Sequence, residues 1–202
     1  MSLIDKHLPH YQFSERHHTR VGASPSEVMR ALVTADRTQD WVASFLLALR
    51  GLPLRLLGRE APRIGMSMFT PLDGDGISET VAGLIGRFWR FDGGLVPLPN
   101  AEGFARFAEP GTPKLVTGFR ATPDPRGTLL TTETRVFCPD AESLLKFAPY
   151  WMLIRIPSGL IRRRTLRAIK AAAEKRDRSP LAGDQRPVAP TERCTAHDGG
   201  ER

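Results

Sequence analysis

The sequence predicts an α+β fold in which a curved antiparallel sheet wraps around a long C-terminal α-helix, with two short helices between the first two strands. Three observations predict this class. After residue 61, short alternating segments follow one another and are separated by the Gly, Pro and Asp residues of tight turns. Before these segments, residues 23–52 show the spacing of apolar residues that is typical of helices. The segment from Tyr150 to Arg176 is long and amphipathic, and it is the remaining element that can cover the apolar face of the sheet.

The predicted strands are short and alternate polar and apolar residues. They lie at residues 11–23, 64–72, 76–91, 103–109, 114–123 and 128–139. In the first strand one face carries Phe13, Glu15, His17, Thr19 and Val21, and the other carries Ser14, Arg16, His18 and Arg20. Short turns between successive strands predict an antiparallel meander.

The predicted helix at residues 23–36 has a well-defined start. Ser24 suits the N-cap, Pro25 suits the first helical position, and Glu27 supplies the partner of a capping box. A second helical stretch is predicted at residues 36–52. Both helices precede the strand meander.

The C-terminal helix is predicted to have an apolar side and a basic side. At 100° per residue its apolar stripe keeps one phase from Leu144 to Ala173. The opposite side carries Arg163, Arg164, Arg167 and Lys170. Arg162 falls inside the apolar stripe, unlike its neighbours. Pro157 predicts a kink there, or a division into two helices.

Charge and composition divide the chain into three parts. The formal net charge is +7, and residues 155–176 alone contain eight basic residues and one acid. From residue 177 to 202 the sequence is polar, rich in Pro and Gly, and predicted to be a disordered tail. We therefore expect a flexible N-terminus at 1–10, one ligand-binding domain at 11–176, and the tail.

The cysteine content and the hydropathy pattern predict a cytoplasmic protein. Cys138 and Cys194 lie far apart, which argues against a disulfide framework or a cysteine metal site. No apolar run reaches the roughly 18 residues that span a bilayer, and the N-terminus lacks the apolar core of a signal peptide. Peripheral association with the inner membrane surface stays open, because of the basic segment.

Four segments carry a resemblance to a known family: "HHTRVGASPSEVMRALV", "GRFWRFDGG", "TTETRV" and "YWMLIRIPSGLIRRRTLRAIKAAAE". With the order of elements, they are similar to the START-like superfamily, also called SRPBCC or polyketide cyclase/dehydrase-like, and to a bacterial subgroup of uncharacterised proteins within it. Ile156 and Pro157 stand where that subgroup shows R-P or a close variant. The resemblance covers residues 11–176. It implies a helix-grip fold with a deep pocket between the sheet and the long helix, suited to an apolar or aromatic small molecule.

The candidate pocket residues are polar residues of the last strand, aromatic residues, and one helix arginine: Trp89, Phe107, Phe119, Glu133, Arg135, Tyr150, Trp151 and Arg162. Two interpretations of Glu133 and Arg135 are open. Either they orient a ligand inside the pocket, or they decorate the solvated back of the sheet. Arg162 either pairs with Glu133 or a ligand anion, or extends to water. The aromatic residues serve either as core or as ligand contacts.

Several chemistries lack support in the sequence. The adjacent His17 and His18 point to opposite faces of a strand, and no set of residues has metal-ligand spacing, so no metal site is predicted. No nucleotide or phosphate-loop motif occurs, and no cofactor is expected. No catalytic residue is assigned. Nucleic acid is not expected as a partner, since no aromatic residues interleave with the basic side of the helix.

Two classes of function remain after these exclusions. The first is a protein that binds a hydrophobic small molecule or lipid, as carrier, sensor, or cyclase/dehydratase-type enzyme. The second is a peripheral module whose basic residues Arg163, Arg164, Arg167 and Lys170 bind an anionic membrane or another polyanion. Neither the ligand nor the oligomeric state follows from the sequence.

Overall fold

A six-stranded antiparallel sheet forms the centre of the computed structural model, which describes residues 2–35, 69–90 and 94–178. The strands are β1 (Phe13–Val21), β2 (Thr70–Gly74), β3 (Glu79–Gly86), β4 (Leu95–Val96), β5 (Lys114–Asp124) and β6 (Gly127–Phe137). Their order is β1-β6-β5-β3-β2, and β4 pairs with β3. Every described strand pair is antiparallel, and β1 is an edge strand.

In the described part of the chain, four helices pack on the two faces of this sheet: α1 (Leu3–His7), α2 (Pro25–Ala35), α3 (Ala101–Arg106) and α4 (Ala141–Arg178). The predicted α+β class is therefore confirmed, with a long C-terminal helix across a curved sheet. The start of α2 is also confirmed, because Ser24 Oγ donates to Glu27 Oε2 at 2.6 Å and Ser24 N donates to the same oxygen at 3.0 Å.

Apolar residues form two clusters between α4 and the sheet. The first cluster joins α2 and α4 to the sheet. We call it the Ile169 cluster, and it contains Val21, Val28, Met29, Leu130, Leu166, Ile169 and Ala173. The Phe147 cluster contains Leu84, Phe88, Val136, Cys138, Phe147 and Trp151. Burial of these side chains fixes the position of α4.

The opposite face of the sheet is covered by α1 and α3. Their Phe104 cluster contains Ile4, Leu8, Leu72, Val81, Ile85, Phe104 and Val116. Alternation along the strands produces these two layers, because neighbouring residues point to opposite faces. On β6, for example, Val136 belongs to the Phe147 cluster, whereas Phe137 packs against the Phe104 cluster.

The secondary-structure predictions differ from the structure at several places. The strand predicted at residues 103–109 is absent: residues 103–106 belong to α3 instead, since Asn100 Oδ1 accepts a hydrogen bond from Gly103 N at 2.9 Å and caps a helix. The N-terminal segment 1–10, predicted to be flexible, contains α1 with buried Ile4. The helix α4 runs unbroken through position 157, so the predicted division into two helices is wrong.

Some predictions fall beyond the described part of the chain. The second helical stretch at 36–52, the first five residues of the strand predicted at 64–72, and the tail beyond residue 178 lie outside it. Residues 177 and 178, predicted as tail, belong to α4. Among the described residues, no helix combines the length and the apolar composition that crossing a bilayer requires.

Candidate functional site

A group of polar side chains lies between the two apolar clusters under α4. Glu15 and His17 come from β1, Thr117 from β5, Thr132 from β6, and Arg162 from α4. We call these five residues the Arg162 site. Alternation explains the placement, since Glu15 and His17 share a strand face with Phe13 and Val21, which belong to the neighbouring apolar clusters.

Arg162 reaches from the helix onto the two central strands. Its Nη1 donates to Thr132 Oγ1 at 3.2 Å and to Thr117 Oγ1 at 3.3 Å. Part of the residue remains accessible to solvent, but Nε is buried and has no hydrogen-bond partner among the described residues. Burial lowers the pKa of this guanidinium, and the charge of Glu15 acts in the opposite direction. Arg162 is thus a largely enclosed cation.

Glu15 and His17 form a hydrogen-bonded pair on the same strand face. Glu15 Oε1 lies 2.7 Å from His17 Nε2, and the two side chains are 8% and 16% exposed. The second carboxylate oxygen, Glu15 Oε2, is buried and has no partner within the described part of the chain. With an ionised carboxylate, this contact places a proton on Nε2 of His17.

The arrangement combines three chemical capacities. The guanidinium of Arg162 can donate to a carbonyl or carboxylate oxygen, because arginine keeps its charge and offers five N–H donors. The Glu15–His17 pair can hold a proton or move it. Apolar residues flank the polar group on both sides, with Phe119 packing against the Ile169 cluster. The chemistry suits an apolar molecule with one polar end.

A groove of about 290 Å³ opens beside the Arg162 site at the edge of the sheet. It is lined by Arg16, His17, His18, Thr19, Arg163, Leu166 and Arg167. His17 therefore belongs both to the groove wall and to the buried pair with Glu15. The groove thus lies at the edge strand β1 and adjoins the Arg162 site through His17.

The predicted pocket residues occupy three different places. Arg162 and Phe119 lie on the α4 side of the sheet. Trp89, Tyr150 and Trp151 pack in or against the Phe147 cluster, with the Tyr150 and Trp151 rings 5.7 and 5.9 Å from that of Phe147. Phe107, Glu133 and Arg135 lie on the far side, toward α1 and α3. The predicted pairing of Arg162 with Glu133 is therefore wrong.

Glu133 and Arg135 tie α1 to the back of the sheet. Arg135 Nε donates to Glu133 Oε1 at 2.7 Å, and Nη1 lies 2.7 Å from Asp5 Oδ1. Its guanidinium also sits 4.5 Å above the Tyr11 ring. Burial alone would lower the pKa of Arg135, but hydrogen bonds to Glu133 and Asp5 outweigh it and raise the pKa. The pair lies on the back of the sheet and anchors α1 there.

The four predicted anion-binding residues lie along the outer side of α4. Arg163, Arg164 and Arg167 are exposed, and Lys170 is half-buried with its Nζ 3.7 Å from Glu174 Oε1. Arg163 and Arg167 line the groove. The helical wheel thus separates these residues correctly from Arg162.

Sequence reasoning missed four members of the site: Glu15, His17, Thr117 and Thr132. The alternation of β1 gave a signal for the first two, since a carboxylate and an imidazole share a face with Phe13 and Val21. Neither threonine has a distinctive signature. Within residues 2–35, 69–90 and 94–178, no cluster of three or more His, Cys, Asp or Glu side chains could hold a metal ion.

No protein-family model matches the chain, and no curated protein matches it. Solved structures match 81% of the chain. They include the di-domain ARO/CYC StfQ from the steffimycin biosynthetic pathway, with 13% identity and a TM-score of 0.42. Protein CV1439 from Chromobacterium violaceum shows 14% identity and a TM-score of 0.31, and TTHA0849 from Thermus thermophilus shows 12% and 0.26.

The chain spans only about half of StfQ, 51% of its length, but 99% and 96% of the other two chains. At these identities and TM-scores, the matches carry no argument about ligand or activity. The α+β fold rests on the strand order and on the helix α4 of this chain itself.

Proposed function

We propose that this protein binds an apolar small molecule or lipid between α4 and the sheet, and that Arg162 holds the ligand's carbonyl or carboxylate oxygen. One observation carries the proposal. Arg162 Nε and Glu15 Oε2 are both buried without a hydrogen-bond partner among the described residues, in the same polar group. A donor and an acceptor of opposite charge are thus available at one place.

The energetics favour a site that receives a ligand over a purely structural contact. A buried polar group that lacks a partner costs about 1–3 kcal/mol, and more if it is charged. Two threonine hydroxyls are weak partners for a guanidinium, and Glu15 forms no ion pair within 4.0 Å of it. A ligand oxygen on Nε would recover part of that cost, so binding energy is concentrated at Arg162.

The surroundings support one class of ligand. The Ile169 cluster and the Phe147 cluster supply apolar contacts on either side of the Arg162 site. Entry from the groove at the β1 edge passes His17. A molecule with an apolar body and one oxygen-bearing end would fit the apolar contacts of the two clusters and the guanidinium of Arg162.

A proton-transfer activity on the bound ligand is a second candidate function, and the Glu15–His17 contact of 2.7 Å favours it. Arg162 would polarise a ligand carbonyl, and His17 would accept or return a proton while Glu15 orients its ring. This chemistry is that of a cyclase or dehydratase. Carrier and enzyme share the same bound state and differ in whether the ligand leaves unchanged or as a product.

Binding of cis-parinaric acid, a fluorescent fatty acid, tests the proposal directly. We expect the wild-type protein to bind it, and Arg162→Met to bind it roughly tenfold to a hundredfold more weakly, because a charge-assisted hydrogen bond is lost. The matched control is Arg155→Met, the same substitution at an exposed position of α4. The methyl ester of the probe should discriminate less between wild type and Arg162→Met.

Circular dichroism of each variant separates loss of binding from loss of fold. Equal affinity of folded Arg162→Met and wild type would overturn the role of Arg162. Native mass spectrometry of the purified protein provides a second readout, with the expected result being a co-purifying apolar molecule. Absence of both a co-purifying molecule and probe binding would overturn the binding function itself.

A further inference from the structure

The outer side of α4 carries an exposed apolar stripe that no feature of the Arg162 site explains. Its members are Leu145, Met152, Leu153, Ile156 and Leu160. Leu145, Leu153 and Ile156 are 75%, 76% and 82% exposed. Single exposed apolar residues are common on protein surfaces, but five large ones along one helix face indicate an interaction surface.

The same helix face becomes basic one turn further on. Arg163 and Arg167 follow Ile156 by seven and eleven residues, which places them within about 20° of it around the helix axis. Both are exposed. The outer side of α4 is thus one continuous surface, apolar from Leu145 to Leu160 and basic from Arg163 onward.

The groove beside this surface adds to the basic character. Arg163 and Arg167 line it on the helix side, and Arg16 and His18 line it on the β1 side. None of the described residues that line the groove is acidic. Arg16 is already paired with Glu133 at 2.6 Å, so Arg163 and Arg167 provide the main attraction for an anion.

We propose that the outer side of α4 docks on an anionic phospholipid membrane. The apolar stripe enters the boundary between headgroups and acyl chains, and Arg163 and Arg167 bind lipid phosphates at the mouth of the groove. An apolar surface that continues into a cationic one matches this boundary, where apolar and anionic groups meet. The stripe contains no aromatic residue for base stacking, which disfavours a nucleic acid.

The docked orientation has a consequence for the groove. Arg163 and Arg167 belong to both surfaces, so a membrane on α4 also meets the groove that leads toward His17. Docking is nevertheless independent of the proposed ligand site, because it depends on outward-facing residues. Either proposal can fail while the other stands.

Co-sedimentation of the full chain with vesicles tests the electrostatic part. We expect binding to phosphatidylcholine vesicles that contain phosphatidylglycerol, and weaker binding to phosphatidylcholine alone. R163E/R167E should bind the mixed vesicles at least about tenfold more weakly, because each basic residue near the headgroups contributes roughly a fivefold attraction and the two contributions multiply. The matched control R106E/R126E makes the same charge change at exposed positions away from α4 and should bind as wild type does.

A second pair of variants tests the role of the apolar stripe in docking. I156D should lose binding to the mixed vesicles, whereas I77D, at a similarly exposed position in the β2–β3 turn, should retain it. Equal binding by R163E/R167E and its control, or by I156D and I77D, would overturn the proposal. Sedimentation velocity detects the main competing occupant: a wild-type dimer that I156D converts to monomer, without vesicle binding, would show that a second copy covers the stripe.

Discussion

Gly159 of α4 lies directly against Glu15 of β1. A Cβ atom at position 159 would sit 2.8 Å from Glu15 Oε1 and 3.5 Å from the His17 ring. Glycine within a helix costs about 1 kcal/mol relative to alanine, so the close approach of α4 to the carboxylate has an energetic cost. The approach is what places Arg162, one turn further along, over the polar side chains of the sheet.

Substitution Gly159→Ala should disturb the Glu15–His17 contact more than it disturbs the fold. The alanine favours the helix by about 1 kcal/mol, and displacement of the flexible carboxylate opposes this gain, so the free energy of unfolding should change by less than about 1 kcal/mol. The imidazole NMR signals of His17 should shift, because the ring lies 3.5 Å from the added methyl group. The control is Ser158→Ala at the preceding position. His17 signals identical to wild type in Gly159→Ala would contradict the proximity.

Arg135→Met should destabilise the protein without changing ligand binding. Arg135 is 6% exposed and bonds Glu133 and Asp5, and removing one partner of such a buried pair costs about 3 kcal/mol. Urea denaturation measures this loss, and cis-parinaric acid measures binding. Arg16→Met is the control, since Arg16 is 62% exposed and its pair with Glu133 should contribute less than about 1 kcal/mol. Weaker probe binding by folded Arg135→Met would contradict this prediction and show that Arg135 contributes to ligand binding.

The parts of the fold that the sequence predicts well are those with strong local signals. The hairpin of β5 and β6 combines alternation with a turn that ends at Gly127, whose φ of 116° favours glycine. The helix α2 begins at a complete capping box. Helical geometry alone places Arg162 on the apolar side of α4, and the structure confirms that placement.

Tertiary contacts determine the features that local sequence patterns leave undecided, such as which face of a strand turns toward α4. The alternation of β6 puts Glu133 and Arg135 on one face, but neither face of the strand is purely apolar, so the pattern does not determine which face turns toward α4. The short helix α1 is stabilised by burial of Ile4 and Leu8 and by Arg135, which are contacts distant in sequence. Glu15 escapes sequence reasoning because charged residues are mostly exposed, so a carboxylate on this strand face does not by itself predict a buried site.

The docking of α1 should weaken in acid because of Asp5. A hydrogen bond from Ser2 and the neighbouring Arg135 lower the pKa of Asp5 to about 2, below its ordinary 3.8. A lowered carboxylate pKa stabilises the folded state above about pH 4, and this contribution disappears as the pH falls to about 2. The effect should be modest, since the side chain is 41% exposed.

Comparison with Asp5→Asn isolates this contribution from that of other acids. The free energy of unfolding should be higher for wild type than for Asp5→Asn at pH 6, and the difference should shrink steadily below pH 4. Urea denaturation at several pH values provides the measurement. A difference that stays constant between pH 6 and pH 2 would contradict an ionic role for Asp5.

Cys138 should be unreactive in the folded protein. It is 3% exposed in the Phe147 cluster, and burial, with the charge of Asp140, raises its pKa to about 11. At pH 8 only about one thiol in a thousand is then ionised, and the thiolate is the reactive form. A Cys194→Ser variant leaves Cys138 as the sole thiol, and Ellman's reagent should label it at least about a hundredfold faster in denaturant than in native buffer. Labelling in native buffer at the rate of an exposed thiol would show that the contact between α4 and the sheet opens readily. The ligand site lies beside that contact, so it would then also be mobile.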